Sequence, residues 1–395
     1  MLVSKYTEML QGKSVIRELS EFATKRGLEI GYENVFDYSL GNPSVKPPKE
    51  YTLALKEVIE EVDETQLHGY SPSLGNTFVR EEVAKSLSKR YDLPYQINDI
   101  FMTNGAASSI AHAIRAVVEV GEEVITFAPH FPEYMPYVNL TGAVLKVVPP
   151  STKDFQIDFE EFIKLINEKT SAILINTPNN PTGVVYTEDT IKRLVQIIRD
   201  KSKEYGKDIF VISDEPYREI VFDKIVQPVI SHYYEHTIMC YSFSKSLSLP
   251  GERIGYVAVN PNSKYSHTII QVCGQISRGI GHNTPSSLIQ LSVAKCLELT
   301  SDISVYEDNM NLIYDCLVEL GFEVVRPNGT FYIFPKALEV DAKVFCQKAL
   351  KYDLVLVPGD SFACPGYFRM AYCVETKKVR KSLEALRKFV ASEYR

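Results

Sequence analysis

The sequence predicts an α/β fold: a large unit built on a mostly parallel sheet flanked by helices, joined to a smaller α+β unit. Three observations carry this. Seven short apolar runs rich in β-branched residues recur at 99–103, 123–127, 144–148, 172–176, 209–213, 237–241 and 254–259. Amphipathic stretches of helical period lie between them, at 106–118, 158–167 and 188–203. In the first of these, Ile110, Ile114 and Val117 share one stripe. Strands alternating with helices build a largely parallel sheet, with ligands gathered at the strands' carboxyl ends. The third observation is a change of pattern near residue 290. A long helical stretch to Leu320 is followed by strand-like Glu323–Arg326 and Thr330–Phe334, a helix from Ala342, strand-like Leu354–Val357 and a final helix from Thr376. We therefore expect a large domain over 49–290 and a small one formed from both chain ends, 1–48 and 291–395.

The bulk properties narrow the function. The chain has 395 residues, 43 Lys and Arg against 50 Asp and Glu, and a net charge of -7, so no basic excess is available for nucleic acid or an anionic membrane. No apolar run reaches the ~18 residues of a membrane span. The charged N-terminal segment does not read as a secretory signal. Seven cysteines without CxxC spacing read as reduced thiols, in the core or at the surface, of a cytoplasmic enzyme. His68, His112 and His130 lack metal-ligand spacing, so packing or capping is expected of them and no metal is implied.

The chemistry concentrates after the apolar runs. Tyr241-Ser-Phe-Ser-Lys245 follows one of them directly and continues to Arg253-Ile-Gly255. A lysine desolvated there has a lowered pKa and a free amine lone pair, which attack on an aldehyde requires. Ser242, Ser244 and Arg253 supply hydroxyls and a guanidinium for a phosphate ester. In isolation the lysine also reads as a surface residue, or as the Ser-x-x-Lys of a serine β-lactamase, whose companion elements are missing. Asp214, closing another run, can pair with a protonated pyridine nitrogen. Asn180 and Tyr217 can each donate to a phenolate oxygen. Gly105, Ala106 and Ala107 place small side chains and free amides at a helix start, a ready phosphate site.

Together these segments resemble the signatures of the class I/II aminotransferases, pyridoxal-phosphate enzymes of fold type I: Asn180-Pro-Thr-Gly183, Asp214-Glu-Pro-Tyr217, and Ser242-Phe-Ser-Lys245 followed by Arg253-Ile-Gly255, in the family's order. Ser39-Leu-Gly-Asn-Pro43, Tyr70-Ser-Pro-Ser-Leu-Gly75, Thr103-Asn-Gly-Ala-Ala107, Pro129-His-Phe131-Pro-Glu-Tyr134, Val357-Pro-Gly-Asp-Ser-Phe362 and Tyr367-Phe-Arg369-Met extend the likeness over roughly 36–380. The resemblance implies pyridoxal 5'-phosphate held as a Schiff base by Lys245, with Phe131 stacked on its ring. It implies that Arg369, assisted by Asn180 near Gly41, grips the substrate α-carboxylate. It also implies a homodimer in which Tyr70 reaches the cofactor phosphate of the neighbouring subunit.

The implied reaction is ping-pong transfer of an amino group between an L-amino acid and a 2-oxo acid. Lys245 serves as base and then acid, with Asp214 and Tyr217 tuning the ring. A C–S β-lyase of the same fold would use the same residues, so the motifs leave it open. A cofactor-binding transcriptional regulator would need an additional basic module. Arg278, 33 residues after Lys245, is similar in place to an arginine that binds the distal carboxylate in dicarboxylate-specific family members, and equally fits a local ion pair.

Overall fold

The computed structural model describes Tyr6, Thr7 and residues 14–395. Residues 1–5 and 8–13, part of the expected 1–48 segment, lie outside the described residues. The central feature is a seven-stranded sheet of β2 (Ile100–Thr103), β3 (Glu123–Phe127), β4 (Val144–Val148), β5 (Thr170–Asn176), β6 (Phe210–Asp214), β7 (Thr237–Ser242) and β8 (Gly255–Val259), in spatial order β2-β8-β7-β6-β5-β3-β4. Every pairing is parallel except those of β8, which runs antiparallel to both β2 and β7. The seven apolar runs are these seven strands, within one or two residues at each end. β5 and β7 are buried along their whole length, which is why they read as unbroken apolar runs.

The helix Ala106–Val117 packs over this sheet through Ile110, Ala113 and Ile114. The helix Glu188–Tyr205 covers the sheet through Ile191, Leu194, Val195 and Ile198, and Thr187 caps it by accepting from the Thr190 amide. The antiparallel β8 has a functional consequence. It delivers the beginning of its strand, Arg253–Gly255, to the edge where the parallel strands deliver their ends.

A second apolar cluster gathers Phe36 and Tyr38 with residues from Tyr306 to Val390, and with Tyr217, Ile220 and Phe222 from the loop after β6. Here β1 (Phe36–Asp37) pairs in parallel with β10 (Leu354–Val355), and β9 (Tyr332–Ile333), β12 (Phe368–Ala371) and β11 (Val357–Pro358) form an antiparallel sheet. The helix Val15–Ile30 packs on Leu350 and Val355 through Leu19, Phe22 and Ala23.

Three expected elements differ. Glu323–Arg326 forms no strand, because no neighbouring strand pairs with it; the Glu323 carbonyl accepts from the Lys336 amide without a ladder following. The single helical stretch to Leu320 is two helices, Ser287–Ala294 and Ser304–Glu319. They part because the Ser301 amide donates to the Ser246 carbonyl and Asp302 accepts from the Ser304 amide, which starts the second helix afresh. Leu354–Val357 splits into β10 and β11, which join different sheets. All seven cysteines are free and buried, so none is a surface thiol. No helix among the described residues is long and apolar enough to cross a membrane.

Candidate active site

Strands of the seven-stranded sheet and of the antiparallel sheet direct residues into one cavity of about 330 Å³. At the end of β6, Asp214 is buried, and its Oδ2 accepts from the Tyr134 hydroxyl at 2.6 Å. Its other carboxylate oxygen has no partner among the described residues. Burial pushes the Asp214 carboxyl up to about 7; the Tyr134 bond opposes that shift and the charge of Glu215 adds to it. Beyond β5, Asn176 ties two loops together. Its Nδ2 donates to the Asp214 carbonyl at 2.9 Å, and its Oδ1 accepts from the Asn180 amide at 2.6 Å.

β7 runs into the short helix Phe243–Ser246, which carries Lys245. Its Nζ donates to the Gly41 carbonyl at 2.8 Å and stands 5.5 Å from the Phe331 ring centre. Desolvation lowers the Lys245 amine to about 8, opposed by Cys373 and aided by the positive charges of Arg253 and Arg369. A neutral amine is therefore within easy reach at ordinary pH, which nucleophilic attack on a carbonyl demands.

At the opposite wall Arg369 is 2% exposed. Its Nη1 donates to Asn180 Oδ1 at 3.0 Å, its Nη2 to the Ser39 carbonyl, and its Nε has no partner among the described residues. Among the described residues it makes no ion pair, so the internal salt bridge that would satisfy it locally is not there. A buried guanidinium without an anion is costly unless a ligand supplies one, and the planar fork suits a carboxylate.

The third corner is built for close approach. Gly105 has φ +89° and precedes the helix Ala106–Val117, whose first amides are free of intrahelical partners. A Cβ on Gly105 would lie 2.9 Å from the Arg253 guanidinium, and one on Gly255 would lie 2.2 Å from the Tyr241 carbonyl. Ser242 and Ser244 join hydroxyls at 2.7 Å beside them. Arg253 Nη2 donates to the Asn104 carbonyl at 3.1 Å. Small residues, helix amides, two hydroxyls and a guanidinium make a phosphate cradle.

Most of the residues singled out from sequence line this cavity: Gly41, Ala106, Ala107, Phe131, Asn180, Asp214, Tyr217, Ser242, Ser244, Lys245, Arg253 and Arg369. Gly105 lies just behind it, against Arg253. Tyr70 and Arg278 are not among the lining residues. Tyr70 is fully exposed in a separate groove with Asn283 and Thr284, and Arg278 is exposed and donates to Gln275 Oε1 at 3.2 Å. Of the histidines, His112 is buried with Nδ1 at 2.7 Å from the Ser108 carbonyl, and His130 stacks on Tyr134. Sequence reasoning missed Tyr134 as the partner of Asp214, and missed Tyr332, Tyr137, Leu40 and Ile16 as lining. Of these, Tyr134 carried a signal as the last residue of the Phe131 motif, and Leu40 as part of the Ser39–Pro43 motif.

A cavity with a phosphate cradle at one corner, an orphaned buried carboxylate oxygen at its floor and a deprotonatable lysine between them fits a planar, phosphate-bearing pyridine aldehyde. The carboxylate oxygen answers a ring N–H, and the amine answers the aldehyde. Fold and site thus define an enzyme that works on amines through a carbonyl cofactor.

The comparisons make that class specific. The model of the family described as aminotransferase class I and II matches residues 33–386, and the chain belongs to that family. A solved structure of an amino transferase from Eubacterium rectale is 41% identical with a TM-score of 0.96, each chain covered over 100% of its length. An aspartate aminotransferase from Thermotoga maritima is 28% identical over 96% of this chain and 100% of its own. An aromatic-amino-acid aminotransferase from Thermococcus litoralis is 30% identical, with 98% of both covered. The protein is accordingly a pyridoxal-phosphate-dependent aminotransferase of fold type I that acts on amino acids and keto acids.

Proposed function

We propose that Lys245 is the residue that holds pyridoxal 5'-phosphate and then moves the proton in ping-pong transamination between an L-amino acid and a 2-oxo acid. The observation that carries this is two buried, opposite charges in one cavity, Asp214 and Arg369, neither ion-paired among the described residues, with the Lys245 amine lining the same cavity. When bound, the cofactor's aldehyde accepts the amino group and its protonated ring withdraws the electron pair left at Cα.

The chain's own residues do the rest. Asp214 holds a proton on the ring nitrogen through its unpartnered oxygen. Arg369 and Asn180 orient the α-carboxylate and thereby fix the Cα–H bond near Lys245. The free Lys245 amine takes that proton from Cα and delivers it to the carbon of the former cofactor aldehyde, two atoms along across the nitrogen. Ser242, Ser244, Arg253 and the amides after Gly105 hold the phosphate, Phe131 covers the ring, and Tyr217 donates to its phenolic oxygen.

We further infer a homodimer in the cytoplasm. Full exposure of Tyr70 beside the Asn283–Thr284 loop supports a role for it in a neighbouring subunit's site, because that loop also accepts from Asn104 beside the cradle. Arg278, exposed and held by Gln275, stays the candidate for a distal carboxylate. The buried free thiols support a reducing compartment. Two apolar clusters lie wholly within 49–290, while a third joins both chain ends and takes only Tyr217, Ile220 and Phe222 from that span, which supports a large domain over 49–290 and a small one from the two chain ends.

The decisive experiment is Lys245→Ala. The variant is expected to lose the cofactor's lysine-linked visible band and more than ~10³-fold in turnover, the range that positioned acid–base catalysis supplies together with a covalent nucleophile. Turnover at the normal rate would overturn the assignment.

A further inference from the structure

Tyr332 lies at the junction of the two halves of this cavity. It is buried on β9, and its neighbour across the β9–β12 ladder is Ala371, which sets Arg369 on the diagonal of the same face. The guanidinium carbon of Arg369 stands 4.6 Å from the Tyr332 ring centre, with the Phe362 ring 4.8 Å away. An arginine with no carboxylate partner among the described residues is thus supported by aromatic rings and neutral acceptors rather than by a charge, and its Nε is left without an internal partner among them.

The other end of the side chain is engaged differently. The Tyr332 and Tyr217 hydroxyls are 3.1 Å apart, and their rings meet edge to face at 80°. A Cβ on Gly41 would lie 2.0 Å from the Tyr332 hydroxyl, so the loop whose carbonyl receives Lys245 rests directly against it.

We propose that Tyr332 is a positioning residue with two separable tasks: its ring carries the guanidinium of Arg369, and its hydroxyl donates to and orients the phenol of Tyr217. The second task rests on the reading that Tyr217 donates to the cofactor's phenolic oxygen. A phenol that itself receives a hydrogen bond is a stronger donor, so Tyr332 strengthens the bond Tyr217 makes. The charged and titratable groups around this pair are Asp214, Arg369 and Cys373.

The test compares the holoenzymes of Tyr332→Phe and Tyr332→Leu, with Tyr217→Phe as control. Three readouts are taken: KM for the amino acid, kcat, and the pH midpoint of the cofactor's visible band. Phe keeps the ring and loses the hydroxyl. Its KM is expected to stay within about twofold, while the band midpoint rises by roughly 0.4–1 pH unit, the size of one net hydrogen bond. Leu loses both, so the same midpoint rise is expected with KM raised about tenfold. Tyr332→Met replaces the Leu variant if that protein does not fold, since a thioether fills the volume without a ring.

Equal KM in the Phe and Leu variants would overturn the ring's task. A midpoint unmoved by Tyr332→Phe, while Tyr217→Phe moves it, would overturn the hydroxyl's task and leave the reading of Tyr217 standing. A midpoint unmoved by Tyr217→Phe would overturn that underlying reading instead. The double variant Tyr217→Phe/Tyr332→Phe is expected to shift no further than Tyr217→Phe alone, and additive shifts would overturn the coupling.

Discussion

Asp214 offers a test in which function and stability pull in opposite directions. In the cofactor-free protein its carboxyl is buried and titrates near 7 instead of 3.8, because burial penalises the charge. Folded protein therefore keeps the Asp214 proton between pH 3.8 and 7, where the unfolded chain has released it. Stability contributed by this group is complete below 3.8, declines as pH rises through that window, and is gone above 7. The rise from 3.8 to about 7 corresponds to roughly 4 kcal/mol at most.

Asp214→Asn removes the titration while keeping the shape and an acceptor for the Tyr134 hydroxyl. The expectation is that the two cofactor-free proteins unfold at nearly equal urea concentrations at about pH 4. At about pH 8 the Asn protein should be the more stable by about 2–4 kcal/mol. The assay is urea unfolding at several pH values and one protein concentration, so that effects common to both proteins cancel. Parallel stability curves across that range would refute the reasoning, because they would mean that the carboxylate costs nothing in its site. With cofactor bound the order should reverse: the ring N–H satisfies the aspartate's charge, whereas the neutral amide of the variant has no charge to offer it, so ligand stabilisation favours the aspartate. The same residue then costs the empty protein stability and secures the loaded one.

Other expectations are more direct. The rate at which cofactor-free protein captures pyridoxal phosphate should rise with pH and reach half its maximum near about 8, as the Lys245 amine loses its proton, which stopped-flow absorbance can follow. Arg369→Lys keeps the charge but loses the fork, and KM for the amino acid should rise about 10–100-fold, the worth of a charge-assisted hydrogen bond. Gly105→Ala puts a side chain at φ +89° and against Arg253, so titration of the cofactor-free protein should show cofactor affinity reduced about tenfold or more. Arg278→Ala should lower the rate for aspartate relative to alanine if it binds a distal carboxylate, and an unchanged ratio in a coupled assay would retire that role.

What was legible in the sequence is what is local in the chain. Asn180, Asp214 and Lys245 are legible because each lies within four residues of the end of a buried apolar run, and the sheet sends those ends to one place. The segments that misled lacked local cause for their outcome. Glu323–Arg326 has strand composition but no partner strand, and the break before Ser304 depends on Ser301 reaching the Ser246 carbonyl, a contact between distant parts of the chain. The roles of Tyr134 and Tyr332 were hidden for the same reason, although Tyr134 itself stands in the Phe131 motif. Their bonds to Asp214 and Tyr217 span 80 and 115 residues, and an isolated tyrosine in an apolar stretch reads as core.

Those two tyrosines show how the cavity reconciles demands that conflict. Chemistry on a pyridine ring needs an anion at one end and a cation at the substrate's end, yet a direct Asp214–Arg369 pair would neutralise both. The chain keeps them apart without leaving either bare. Tyr134 takes one oxygen of Asp214 and leaves the other for a ligand, while Tyr332 and Phe362 sandwich Arg369 and leave its Nε unpartnered among the described residues. Neutral side chains thus support each charge and leave each with one atom that no internal partner among the described residues satisfies. Replacing either tyrosine with a side chain of charge opposite to its partner would satisfy that charge internally and give a weaker enzyme.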